Sequence, residues 1–74
     1  MQKLMELLEE IRPDVDFQTE TKLISGGVLS SIDMIAIIDA IEMELDVKIE
    51  PKYLTAENFN SAESIWKLIT RLSE

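Results

Sequence analysis

The spacing of apolar residues constrains this chain more than any other feature of its sequence. Leu4, Leu7, Leu8 and Ile11 follow the i, i+3, i+4, i+7 pattern of one helical face. The same period recurs in a central segment and in a C-terminal segment, whereas no stretch alternates polar and apolar residues over the length of a useful strand. The pattern therefore predicts an all-α fold.

The first helix has a clear end, and a long connection follows it. Pro13 lacks an N–H group and disfavours the helical conformation at Arg12, so we expect the helix to stop there. Residues 14–29 show no sustained period, and Gly26 and Gly27 indicate a turn near the end of this connection. We expect an ordered loop held to the core by four apolar side chains, namely Val15, Phe17, Leu23 and Ile24.

The second helix is predicted from about Ser31 to Leu45. Ser30 is a good N-cap, and Asp33 three residues later can return a hydrogen bond to the backbone of the cap, as in a capping box. One side of this helix forms a normal core stripe, which consists of Met34, Ile37, Ile38, Ile41 and Leu45.

The remaining segment predicts a short helix and a last long one. Pro51 suits the first turn of a short helix within residues 51–58, and Asn60 with Glu63 has the spacing of a second capping box. The inner face of the last helix is predicted to consist of Ile65, Trp66, Ile69 and Leu72. Residues 1–74 are therefore expected to form one domain, a bundle of three main helices plus a short helix between the second and the last.

The charge balance and two absent residue types limit the function. Asp and Glu number 15 against 7 Lys and Arg, a net charge of −8 that repels nucleic acids and anionic lipids and attracts basic protein surfaces. Without histidine or cysteine the chain lacks the usual general base and any thiolate, so we expect a protein that is not an enzyme and binds no metal. No membrane-length apolar run or signal sequence is visible, which predicts a cytoplasmic protein without membrane insertion. The protein is also expected to be a monomer.

A second apolar stripe lies opposite the core stripe of the second helix. It contains Ile32, Ile35, Ala36 and Met43 together with Asp39, and Glu42 borders it. The helix is either packed on both sides or uses this stripe as a surface for partner proteins. Burying Asp39 without a partner would be costly, which favours the partner surface.

Ser31 stands beside this stripe at the predicted start of the second helix. A hydroxyl there is accessible and lies near unpaired backbone N–H groups, where the helix dipole favours negative charge. A phosphodiester on Ser31 would be stabilised by roughly 0.3–1 kcal/mol in that field. A serine in this position more commonly serves only as a cap.

Residues 27–33, Gly-Val-Leu-Ser-Ser-Ile-Asp, and residues 41–49, Ile-Glu-Met-Glu-Leu-Asp-Val-Lys-Ile, resemble the acyl carrier protein family. The family has Asp-Ser-Leu or Asp-Ser-Met at the start of its second helix and later Leu-Glu-x-x-Phe-x-(Ile/Val)-x-Ile, with Leu45 here at the Phe position. Residues 54–65 resemble the third-helix region of small stand-alone carriers, most closely those for D-alanyl or other aminoacyl groups and for specialised pathways.

The resemblance implies that Ser31 carries 4′-phosphopantetheine, transferred from coenzyme A by a phosphopantetheinyl transferase. The thiol of this arm would hold acyl or aminoacyl groups as thioesters. Other implied partners are acyl- or aminoacyl-loading and acyl-transfer enzymes with basic docking surfaces. The predicted docking residues are Ile32, Asp33, Ile35, Ala36, Asp39, Glu42 and Met43.

The chain departs from the family pattern at one position, where Ser30 replaces the Asp before the modified serine. Ser30 is therefore an alternative attachment site, although Ile32 follows Ser31 as the family's Leu or Met would and so favours Ser31. An alternative function is an acidic helical adaptor, or a degenerate carrier, that binds a basic protein partner without being modified.

Overall fold

The computed structural model describes residues 2–73 and confirms the predicted all-helical bundle, in which no strand occurs within that range. The elements are α1 (Gln2–Ile11), α2 (Ser31–Leu45), a short 3-10 helix (Pro51–Tyr53), α3 (Ala56–Phe59) and α4 (Ala62–Ser73). Helix α1 packs against both α2 and α4, and α3 packs against α4. The short helical turns predicted within residues 51–58 are present as the 3-10 helix and α3, and α3 extends one residue further, to Phe59.

Local sequence signals set the boundaries of α1 and α2. Helix α1 ends at Ile11, two residues before Pro13, and the Arg12 N–H closes its last turn on the Leu8 carbonyl at 2.9 Å. The capping box of α2 is present, because Ser30 Oγ accepts from the Asp33 N–H at 3.2 Å and Asp33 Oδ2 accepts from the Ser30 N–H at 2.9 Å. These two boundaries confirm the sequence-based prediction.

The predicted cap of the last helix was wrong by one residue. Ser61 caps α4, since its hydroxyl accepts from the Ser64 N–H and its own N–H donates to the Ser64 hydroxyl, both at 3.1 Å. The Asn60 side chain instead accepts from the N–H groups of Ile24 and Ser25, both at 2.9 Å. Asn60 therefore fastens the long loop to the junction of α3 and α4.

The composition of the core confirms the predicted inner face of α2 and the prediction that apolar side chains hold the loop to the core. Ile37 and Ile41 are fully buried, and Phe17 and Leu23 hold the loop to the core as predicted. Within residues 2–73, the buried apolar residues are Leu4, Leu7, Leu8, Phe17, Leu23, Leu29, Ile37, Ile41, Val47, Ile49, Phe59, Ala62, Ile65, Leu68 and Ile69. On α4, Leu68 takes an inner position, whereas Trp66 and Leu72 are only half-buried at the edge of the core.

The segment after α2 contributes two core residues that the helical period did not indicate. Asp46 ends α2 in the left-handed conformation, with φ of 55°, and its N–H donates to the Glu42 carbonyl at 3.1 Å. The chain then runs without regular structure, and Val47 and Ile49 turn inwards while Lys48 stays exposed. This short alternation adds two apolar side chains to the core.

Candidate functional site

Ser31 is the first residue of α2, and its side chain is exposed. No hydrogen bond joins its hydroxyl to any part of residues 2–73, whereas the neighbouring Ser30 hydroxyl accepts the cap bond from Asp33. The two candidate serines therefore differ: the Ser30 oxygen already serves the helix, and the Ser31 oxygen is available for chemistry.

The backbone around Ser31 offers a positively polarised surface. The helical ladder begins with the Met34 N–H donating to the Ser30 carbonyl at 3.1 Å, and the Asp33 N–H is taken by the cap. The N–H groups of Ser31 and Ile32 precede this ladder and have no acceptor within the described chain. A phosphodiester on Ser31 fits this environment, because both N–H groups and the helix dipole favour an anion there.

The turn before the helix is tight. The Gly26 N–H donates to the Lys22 carbonyl at 2.8 Å, and the Leu29 N–H donates to the Leu23 carbonyl at 2.9 Å. A Cβ atom at Gly26 would lie 2.6 Å from the Lys22 carbonyl oxygen. Gly27 has φ of +71°, a backbone conformation that is strained for residues with a side chain. Glycine is therefore needed at both positions to bring the chain to Ser30 in this orientation.

An arginine outside the predicted site also holds the start of α2. Arg12 Nη1 donates to Asp33 Oδ2 at 2.6 Å and to the Val28 carbonyl at 3.2 Å. Its other nitrogens donate to both carboxylate oxygens of Asp14, each at 2.9 Å. This network joins the end of α1 to the residues around Ser31. Because Arg12 and Asp33 are 21 positions apart in the sequence, no local pattern could have indicated their contact.

Asp33 was predicted to contact partners, and the structure gives its carboxylate a role inside the protein. Its side chain is only 17% exposed and accepts from the Ser30 N–H and from Arg12. The Ser30 hydrogen bond, reinforced by Arg12, lowers the pKa of Asp33 against an opposing effect of burial. Hydrogen bonds from Arg12 similarly lower the pKa of Asp14 to about 2.

These shifts predict a loss of stability in acid. Both carboxyls have a lower pKa in the folded protein than in the unfolded chain, where it lies near 4, so folding favours their ionised forms. Their contribution is complete above roughly pH 4 and is lost as the pH falls towards the folded pKa values, near pH 2 for Asp14. Melting temperatures measured from pH 7 to pH 2 should show this, and the decline below pH 4 should be shallower in Arg12→Gln. Equal declines in both proteins would contradict it.

The second stripe of α2 faces solvent. Ile32, Ile35 and Met43 are 78%, 57% and 84% exposed, although large apolar side chains are normally buried. Asp39 and Glu42 are also exposed beside them, and only Ala36 is half-buried. The interpretation of α2 as a helix packed on both sides is therefore wrong, and the predicted docking residues other than Asp33 share one accessible face.

Comparison with known proteins adds one relative. The chain is 32% identical over 63 residues to aminoacyl carrier protein 1 of Bradyrhizobium diazoefficiens, and the match covers 85% of this chain and 69% of that protein. No family model matches the sequence. The chain belongs to the carrier-protein family. The resemblance to carrier proteins seen in the sequence is thus confirmed at the level of the family.

Two further observations describe this carrier protein. Within residues 2–73, no helix has both the length and the apolar character needed to cross a bilayer. In the same range, no three carboxylates lie together in a way that could hold a metal ion. The individual site residues, Ser31 above all, remain predictions.

Proposed function

We propose that this carrier protein holds its cargo as a thioester on a 4′-phosphopantetheine arm attached to Ser31 Oγ. The observation that carries the proposal is the exposed, hydrogen-bond-free hydroxyl of Ser31 at the N-terminus of a long helix. When bound, the arm supplies a thiol, which a chain without cysteine lacks. The polypeptide itself performs no chemistry in this proposal and presents its cargo to partner enzymes.

The geometry favours Ser31 over Ser30 as the attachment site. Modifying Ser30 would place a bulky substituent on the oxygen that accepts the Asp33 N–H, and would disturb the first turn of α2. Modifying Ser31 leaves this cap in place and puts the phosphodiester beside the free N–H groups of Ser31 and Ile32.

We propose an aminoacyl group as the cargo class. The support is the name of the relative, an aminoacyl carrier protein, which agrees with the likeness of residues 54–65 to small stand-alone carriers. An adenylating enzyme that activates an amino acid would then be the loading partner. Such an enzyme must reach the thiol at the end of the arm, and therefore must approach the start of α2.

The decisive experiment is intact mass spectrometry after incubation with coenzyme A, Mg²⁺ and a promiscuous phosphopantetheinyl transferase. A carrier gains the mass of one phosphopantetheine group. An acidic adaptor or a degenerate carrier gains nothing, which would overturn the proposal. Offering the modified protein to amino-acid-adenylating and fatty-acyl-loading enzymes then separates aminoacyl from fatty acyl cargo by a second mass increase.

We further propose the exposed face of α2 as the docking surface for enzymes that act on the arm. Its apolar side chains, Ile32, Ile35 and Met43, offer contact area, and Asp39 and Glu42 provide negative charge for a basic partner surface. Charges of this kind mainly raise the association rate, whereas buried apolar contacts slow dissociation.

Asp39→Lys is expected to lower kcat/KM of the transferase on the order of tenfold at low salt, because one attraction becomes a repulsion. The deficit should shrink at high salt, since the Debye length falls to roughly 3 Å at 1 M. Ile35→Ala should instead reduce kcat/KM at every salt concentration. Glu9→Lys, an identical charge change at an exposed position of α1, is the control; if it slows the transferase as much, recognition depends on overall charge.

A further inference from the structure

A groove separates α1 from the C-terminal half of α2. Its apolar lining consists of Leu7 and Ile11 from α1 with Ala40 and Met43 from α2. Leu7 is almost fully buried, Ile11 and Ala40 are half-buried, and Met43 is 84% exposed at the edge. The groove therefore has an apolar floor that solvent reaches, and one long, flexible side chain stands at its rim.

Acidic side chains surround this floor. Glu6 and Glu10 line it from α1 and Glu44 from α2, against a single cation, Lys3. Lys3 Nζ lies 3.8 Å from Glu44 Oε2, and both side chains are more than half exposed. A pair this exposed is weak, so a cationic group from outside can displace Lys3 at little cost. The groove thus combines an apolar floor with a negative rim.

We propose that this groove seats an amphipathic helix of a partner protein, with apolar residues on one face and Lys or Arg beside them. Apolar side chains of that helix would cover Leu7, Ile11 and Ala40, and its cations would pair with Glu6, Glu10 and Glu44. Met43 suits such a rim because its unbranched side chain adapts to differently shaped partners. A second copy of this chain is a poor occupant, since each copy carries a net charge of −8.

The position of the groove indicates what such a partner could do. Ser31 and Met43 are twelve positions apart, or about 18 Å along the helix axis. A helix in the groove would share Met43 with the docking surface proposed above but leave the start of α2 accessible. An enzyme that contacts α2 only around Ser31 and Ile35 could therefore act while a tethering protein is bound. Recognition of the basic helix needs no attached arm, so this proposal does not depend on modification of Ser31.

Methyl and amide NMR of the unmodified protein tests the proposal. The probe is a synthetic peptide with Leu at i, i+3, i+4 and i+7 and Lys at the flanking positions; the control peptide has Ser in place of every Leu and the same charge. The Leu peptide is expected to give saturable shifts centred on Leu7, Ile11 and Ala40, and the Ser peptide to give none there. Shifts of the Leu peptide centred on Ile32 and Ile35 would overturn the groove assignment.

Matched charge reversals on α1 sharpen the test. Glu6→Lys and Glu10→Lys should each weaken binding of the Leu peptide on the order of tenfold at low salt. Glu9→Lys changes the net charge equally but lies outside the groove, and should have a much smaller effect. Equal effects of all three variants would overturn the proposal. The proposal would also fail if the groove residues shifted without peptide. Shifts on raising the protein concentration would mean that a second copy occupies the groove, and shifts on attaching the arm would mean that the arm occupies it.

Discussion

Ser31→Ala is expected to abolish phosphopantetheine attachment completely. The variant removes the one hydroxyl at this helix start that is exposed and takes part in no hydrogen bond within residues 2–73. Alanine is a good helix former, so α2 and its cap should persist and circular dichroism should be unchanged. Intact mass after incubation with coenzyme A and the transferase measures the loss, and tandem mass spectrometry of the parent protein places the arm.

Substitutions at Ser30 are the matched controls. Ser30→Ala should cost about 0.5–2 kcal/mol of stability by removing the cap oxygen, yet leave attachment detectable. Ser30→Asp should retain a capping oxygen, and we expect faster modification because it restores the family's residue before the serine. An arm found on Ser30 in the parent protein would refute the assignment. Unchanged kinetics in Ser30→Asp would show that the transferase does not need an acid there.

Ile41→Ala is expected to lower the free energy of unfolding by about 2–5 kcal/mol. Ile41 is fully buried on the inner face of α2, and a domain of this size has few core side chains that could move into the cavity. Urea denaturation of the unmodified protein, followed by circular dichroism, measures the change. Such a loss is a large fraction of the stability of a small domain.

Ile35→Ala removes the same atoms from the same helix and is the control for this prediction. Ile35 is 57% exposed, so its truncation leaves no cavity and should change stability far less. Similar losses in the two variants would mean that α2 is packed on both sides in solution. The pair therefore tests the division of α2 into a core face and a free face, on which the proposed docking surface depends.

The features that could be predicted from the sequence are those determined by interactions between residues close together in the chain. Pro13 ends α1 through its own backbone chemistry, and the capping box of α2 spans only four residues, from Ser30 to Asp33. The two faces of α2 follow from its period, because a helix fixes which side chains lie together. These features could be read from the sequence since each is complete within one element.

Interactions between distant residues could not be predicted in this way. Arg12 reaches Asp33 across 21 positions, and Asn60 reaches Ile24 across 36. A polar residue that can cap a helix has several possible hydrogen-bond partners, and only the packed fold decides among them. Asn60 therefore binds the loop, and Ser61 caps α4. The apolar-floored groove was missed for the same reason, since it exists only where α1 meets α2.

Asn60 has a consequence for anyone who wishes to build chimeras from this protein. Its backbone carbonyl also accepts from the Leu23 N–H at 2.9 Å, and the Leu23 carbonyl accepts from Leu29, which directly precedes Ser30. The position of Ser31 thus depends on hydrogen bonds that lead to Asn60, at the junction of α3 and α4 and almost thirty positions downstream. Residues 27–49 contain the most specific part of the family resemblance, but we expect that they would not keep this geometry when moved alone. A graft of that segment into another scaffold would have to bring Asn60, or an equivalent acceptor, along with it.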